Sequence, residues 1–545
     1  MADHDDRARG TQVNVRRSTG GRLGRAVGVR VAAIVLGLAV AAAVVGCGDS
    51  TTASPSASSA AIKMGGILKV GQQPGNGGLD PVLHSDNVAD IMVQEQILEK
   101  LCDLDTGFVV VPRLASEWST TDSKVWKFTL REGVKFSNGD PFTADDVIYS
   151  MGRLRSKELG SPMADIYANI VDVTADDPTH VTFALKSADS EFPSSLTDYR
   201  SLMLNKNVKD PNKEIVGTGP FMLDSMVLED RTTLKKNPDY WGTDGQGNKL
   251  PYLDEIQFIY SPDRAGQLQG LLGGSLQWIG GLTSEQKQTV EGNPQYQILT
   301  SQTNYCFELQ IRTDQGPGKD LKFRQALMAG TDRQAIIDLA APGVAQPGNG
   351  TLVGPAYKDY YLDTSPAYDP AAAKQLLADA GFADGVKIKL VTQTIDLVPA
   401  IATVWQAQMK EIGVEVEIAQ VPPDVFYAEK GTDNWYEADF AIVDWGSRAT
   451  PLTYFQLALT GTAPWNYSRW SNADFDSLAK QIPLELDTAK RAELYGQAQQ
   501  LLQDQVPMIN FLVTEGLAAQ PDNVSGIALL PDWSQTLFTT AHYTD

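Results

Sequence analysis

The chain has 545 residues, 42% hydrophobic and 21% charged, with 45 Lys and Arg against 67 Asp and Glu, a net charge of −22. That length allows three or four domains and a large core, and the composition fits neither a disordered chain nor a multi-span membrane protein. Acidity argues against a nucleic-acid partner, whose phosphates are held by clustered cations, and three cysteines with four histidines leave little for metal clusters, so neither metal nor cofactor is expected.

Residues 1–30 carry seven arginines (Arg7, Arg9, Arg16, Arg17, Arg22, Arg25, Arg30) and three acids, and residues 31–46 carry no charge. A basic start, an apolar run and a small-residue boundary predict a secretory signal over residues 1–46. The sixteen apolar residues reach about 24 Å as a helix, short of the ~30 Å hydrocarbon core, so a spanning helix fits less well. Arg16-Arg17 is followed by Ser18, Thr19 and Gly20 rather than apolar residues, which favours Sec over twin-arginine export. Val44-Val45-Gly46-Cys47 resembles the bacterial lipobox, which implies lipidation of Cys47 as the first mature residue and a place on the outer face of the cell membrane. Residues 47–61, rich in Ser, Thr, Ala and Pro, predict a flexible tether. Without residues 1–46 the cations fall to 38 and the acids to 64, so the mature chain carries −26 over 499 residues.

Helix and strand patterns alternate from Ile62 onward. Val88, Ile91, Met92, Leu98 and Leu101 share one helical face, with Ser85 or Asp86 as N-cap. Trp126, Phe128 and Leu130 alternate with polar residues as in a half-buried strand, Asn138-Gly139 supplies a turn, and Thr143 to Asp146 opens a helix with a capping box. Pro370 starts an Ala-rich helix that stops at Gly381. Strands at Val386, Ile388, Leu390 and at Val414, Val416, Ile418 bracket a helix over residues 400–412, a βαβ pattern that predicts an α/β core with parallel strands.

Catalytic signatures are missing: no H-E-x-x-H, G-x-S-x-G, P-loop or C-x-x-C is present. Gly75-Asn76-Gly77 and Gly217-Thr218-Gly219 lack the third glycine of a dinucleotide fingerprint. Asp145-Asp146 reads as a helix start and Asp176-Asp177, before Pro178, as a turn. Cys102 and Cys306 are compatible with one disulfide or with two buried thiols.

Six segments, taken in order, resemble the family 5 extracellular solute-binding proteins of ABC importers, the group of dipeptide, oligopeptide and nickel receptors. They are Leu79-Asp80-Pro81, residues 112–150, Gly217-Thr218-Gly219-Pro220-Phe221, Asn237-Pro238-Asp239-Tyr240-Trp241, Phe323-Arg324-Gln325-Ala326-Leu327, and Tyr368-Asp369-Pro370 through Phe382. The resemblance implies a two-lobed periplasmic-binding-protein-like α/β fold with a hinge. Lobe I would comprise residues 62–95, 215–304 and 516–545, a subdomain inserted into it residues 96–214, and lobe II residues 305–515.

It also implies a non-enzymatic receptor, expected as a monomer, that captures peptides between the lobes and delivers them to a membrane permease with its ATPase. Oligosaccharides or another polar organic solute are the second ligand class, and a cell-wall hydrolase or a sensory lipoprotein are rival readings. In peptide-binding relatives the backbone after Leu-Asp-Pro pairs with the ligand, which points to His84, Ser85, Asp86 and Asn87. Those relatives place an aspartate three residues after a tryptophan to hold the peptide amine. Here that segment is Asp444-Trp445-Gly446-Ser447-Arg448, with Arg448 at the aspartate position. A guanidinium there attracts carboxylate and repels ammonium, so either Asp444 takes the amine or the ligand lacks one. Residues 435–470 hold nine aromatics (Trp435, Tyr436, Phe440, Trp445, Tyr454, Phe455, Trp465, Tyr467, Trp470), about half of them expected in the core and the rest, with Tyr454 among the candidates, in a roomy cleft. Gln277 stands where relatives usually carry an acid.

Overall fold

In a computed structural model of the chain the described residues are 62–84, 87–395, 397–428 and 434–544. The expected signal, the tether and Cys47, together with Ser85 and Asp86, lie outside the described residues.

The frame is one eleven-stranded mixed sheet. At one end Val386–Gln393 pairs in parallel with Val414–Val421 and Phe440–Trp445. At the other Ile67–Gln72 pairs in parallel with Glu255–Tyr260 and Trp278–Gly280. The long antiparallel pair Tyr296–Ile311 and Met508–Pro521 runs through both halves. Its register shifts between Gln302 and Cys306, where side chains stand in for the ladder: Thr303 Oγ1 donates to the Thr514 carbonyl at 2.6 Å and Thr514 Oγ1 to the Tyr305 carbonyl at 3.3 Å. Each half has its own core, one around Trp405, Phe323 and Leu390, the other around Trp278, Phe258 and Phe538. A separate four-stranded antiparallel sheet, made by Ala115–Thr120, Val125–Leu130, His180–Leu185 and Ile170–Asp177, packs a third core with Phe128, Phe136 and Phe183.

Local signals account for most of these elements. The helix Ala144–Leu154 begins at Thr143, whose N–H donates to the Asp146 carboxylate at 2.9 Å. Helix Pro370–Asp379 starts on Asp369, which accepts from the N–H groups of Ala371 and Ala372, and Gly381 follows it at φ +89°. The βαβ unit is Val386–Gln393, Val398–Ile412 and Val414–Val421. Asp176 and Asp177 sit where Ile170–Asp177 turns into His180–Leu185, and Asp177 bonds the His180 ring at 2.9 Å.

One element departs from its sequence reading. Helix Val88–Ile97 is capped by Asn87, whose Oδ1 accepts the Ala89 N–H at 2.8 Å, rather than by Ser85 or Asp86. Every residue from Ala89 to Ile97 is buried, so the helix has no solvent face. Cys102 and Cys306 are both free and buried, which decides between the two cysteine readings in favour of two thiols. Among the described residues no helix is long and apolar enough to cross a membrane and no group of His, Cys, Asp and Glu could hold a metal.

Candidate functional site

Open α/β sheets bind ligands beyond the carboxyl ends of their parallel strands. Two of the segments that leave such ends here are residues 73–84 after Ile67–Gln72 and residues 446–450 after Phe440–Trp445. They belong to opposite halves of the sheet.

The first loop is built on its own main chain. Asp80 accepts from the Val82 N–H and pairs with Arg153, while Asn212 Oδ1 accepts the N–H groups of Leu79 and Asp80. His84 is exposed, but its N–H donates to the Asp80 carbonyl at 2.8 Å and its carbonyl accepts from Gln94 at 2.9 Å. Pairing of a ligand with the His84 N–H therefore requires exchange of an existing bond, and Asn87 is engaged as the helix cap.

The second loop carries the charges. Asp444 is half-buried and accepts from three neutral donors: Tyr427 OH at 2.6 Å, Gln393 Nε2 at 2.7 Å and Tyr305 OH at 2.8 Å. Burial first, then the Asp444 charge, push the Tyr427 phenol up, so it remains a donor. Trp445 is buried, with its indole N–H on Glu308 Oε1 at 2.8 Å. Half-buried Arg448 lies 5.9 Å from the Trp445 ring and, among the described residues, donates only to the Ser447 carbonyl, at 3.4 Å. Asp444 and Arg448 stand on either side of Trp445 in the chain, and neither forms an ion pair among the described residues. Burial pushes the Cys306 thiol well up, Glu308 and then Asp444 push it the same way, and Arg448 opposes them.

Three buried tyrosines hold the backbone of this loop and of the helix Pro451–Tyr454 that follows it. Tyr454 OH donates to the Gly446 carbonyl at 2.9 Å, Tyr357 OH to the Arg448 carbonyl at 2.6 Å, and Tyr495 OH accepts the Leu452 N–H at 3.2 Å. Ser447 Oγ accepts the Asn304 N–H at 2.9 Å. Tyr454 is 0% exposed and its phenol is pushed up to about 12, burial being the main cause. It therefore meets the protein and not the cleft.

Six of the nine clustered aromatics are buried; Trp435 and Tyr436 are half-buried, and Trp465 is 40% exposed with its ring 5.9 Å from Trp445. Tyr305, Gln393, Tyr427 and Glu308 were not among the residues read from sequence. Gln393 was within reach of such reading, because it ends a predicted parallel strand; Glu308 lies in an apolar strand whose neighbours disclose nothing about it. Gln277 is engaged locally, its Oε1 accepting the Lys69 N–H at 3.2 Å.

The chain belongs to the bacterial extracellular solute-binding proteins of family 5, whose middle-region model matches residues 109–467. Di/tripeptide-binding protein 1 of Pseudomonas aeruginosa strain UCBPP-PA14 is 27% identical over 475 residues, 79% of this chain and 86% of that protein. Glutathione-binding protein GsiB of Salmonella paratyphi A is 28% identical over 480 residues, 83% of this chain and 90% of that one. The solved structure of HbpA2 from Haemophilus parasuis superposes with a TM-score of 0.76 at 22% identity, covering 88% of this chain and all of that one (100%). These matches agree with a two-lobed α/β binding-protein fold and with a non-enzymatic transport component, which removes the hydrolase reading.

Proposed function

We propose that this protein is a receptor for short peptides with free termini, held outside the cell by lipid on Cys47, which hands its ligand to an ABC permease and ATPase. One observation carries the ligand class: on either side of Trp445 in the chain, Asp444 is a carboxylate whose donors among the described residues are all neutral, and Arg448 is a guanidinium with no counterion among them. Asp444 then receives the ligand ammonium and Arg448 a ligand carboxylate, by charge-assisted bonds that two neutral partners would not supply. The peptide- and glutathione-binding relatives are consistent with such zwitterions. The register break at Thr303 and Thr514 is where the lobes hinge, with ligand contacts to both lobes favouring closure.

Calorimetric titration with Ala-Ala-Ala, its N-acetyl form and its C-terminal amide tests the assignment. N-acetylation and Asp444→Asn are each expected to weaken binding by about 10- to 100-fold, and amidation and Arg448→Ala likewise, since a hydrogen bond to a charged group is worth about 1.5–3 kcal/mol. Unchanged affinity in Arg448→Ala sinks its role. An oligosaccharide that binds where the peptides do not gives the site, with its exposed Trp465 face, to the second ligand class.

A further inference from the structure

Two of the three tyrosines that hold the 446–452 backbone are themselves gripped from outside, by the 96–214 subdomain. Phe108 sits at the tip of a tight turn in which Asp105 Oδ1 accepts the N–H groups of Gly107 at 2.7 Å and Val109 at 2.9 Å. This turn presents Phe108 at φ +60°, a left-handed conformation uncommon for a bulky side chain. Its ring packs edge-on against Tyr357 at 5.2 Å, and Tyr357 OH carries the Arg448 carbonyl.

The second grip is polar. Tyr495 OH donates to Glu191 Oε2 at 2.6 Å and accepts the Leu452 N–H. Arg491 Nε lies 3.5 Å from Glu191 Oε1, and Arg491 also donates to Ser190 Oγ at 3.2 Å and to Tyr360 OH at 2.8 Å. Tyr360 and Tyr495 rings stack at 4.6 Å, and the Ser190 N–H donates to the Pro483 carbonyl at 2.8 Å. Apart from the main chain, residues 96–214 therefore reach this region by two chains of contact, one ending on the Arg448 carbonyl of the 446–450 loop and the other on the Leu452 N–H, in the helix Pro451–Tyr454 that follows it.

We propose that the 96–214 subdomain sets the position of the 446–454 loop, with Phe108 and Glu191 as positioning residues that act through Tyr357 and Tyr495. The proposal rests on the reading that this loop meets the ligand, and it extends that reading by giving the subdomain a part in binding. The Glu191 carboxyl is titratable in this setting: burial lifts it to about 7, against Tyr495, Arg491 and Tyr360, which pull it down, and with Asp189, which pushes it up. Released from the contact it returns toward its ordinary 4.5, so the gripped state binds the proton more tightly and weakens as pH rises through about 7.

Amide hydrogen exchange of the intact, ligand-free protein, read by mass spectrometry on peptides spanning 446–454, tests this without any ligand. Glu191→Ala and Phe108→Ala are each expected to speed exchange in that loop about tenfold and to leave the strands 386–421 as in the wild type. An unchanged loop, or equal acceleration of loop and strands, overturns the proposal. In the wild type, loop protection corrected for intrinsic exchange is expected to fall about tenfold from pH 6 to pH 8, and in Glu191→Gln to stay level. A Gln variant that keeps the fall also overturns it, and this arm with Phe108→Ala decides the matter if Glu191→Ala does not fold. Failure of Ala-Ala-Ala to bind the wild type would overturn the ligand reading alone.

Discussion

Glu308 is an unusual residue to find buried beside Trp445. It is 2% exposed and, among the described residues, bonded only to the Trp445 indole, while its Oε2, like Gln310 Oε1 and Oδ1 of its cross-strand neighbour Asn510, takes no donor from them. Burial lifts its carboxyl to about 8, with Trp445 only partly opposing, so at neutral pH it carries a proton. Because the folded value lies above the ordinary 4.5, the stability this proton contributes is complete below about 4.5 and is lost as pH rises through about 8. Urea unfolding between pH 5 and 8 is expected to show stability falling with pH. Glu308→Gln should flatten that slope by about 1.4 kcal/mol per pH unit, the value of one proton. Buried Glu191 acts in the same sense, so a residual slope is expected; an unaltered slope in Glu308→Gln contradicts the assignment.

At the scale of elements, legibility followed the range of the interactions. The Thr143 cap, the Pro370 start and the parallel pair around Val398–Ile412 depend on residues a few positions apart, and sequence patterns are sufficient for them. Helix Val88–Ile97 departs from a one-faced pattern because its polar residues find buried partners outside the helix, some near in the chain and some distant. Asp90 accepts from the Asn76 and Gly77 N–H groups, Glu95 pairs with Lys100, and Gln96 bonds both Thr536 and Phe538. No periodicity announces a partner 440 residues away. Gly217 and Gly219 show the same limit: nothing beside them in the sequence discloses their requirement, which is close approach to the end of that helix, where the Gly219 N–H bonds the Ile97 carbonyl. A Cβ on Gly217 would stand 1.8 Å from that oxygen, whereas one on Gly496, inside helix Thr488–Gln505, meets nothing within 4 Å. Gly217→Ala is therefore expected to destabilise by about 2–4 kcal/mol, and Gly496→Ala to stabilise by about 0.5–1 kcal/mol. Denaturant midpoints check both signs; equal effects would refute the contact argument.

For the whole molecule, sequence patterns implied an α/β core with parallel strands, and the resemblance carried by the ordered motifs implied the family and its two lobes, but neither could assemble the candidate site. The site as proposed draws on residues 305, 393, 427 and 444–448, on Tyr357, Tyr454 and Tyr495, and on residues 96–214 through Phe108 and Glu191. The net charge of −22 keeps such a chain dispersed, and it makes Arg448, a cation with no counterion among the described residues, conspicuous. A cleft that closes by contacts to both lobes retains its ligand through purification when affinity is high. Native mass spectrometry of the protein taken from its own host is accordingly the most direct test of peptide capture. The account predicts an added mass that fragments into amino-acid residues, and a bound species consisting only of sugar or lipid would contradict it.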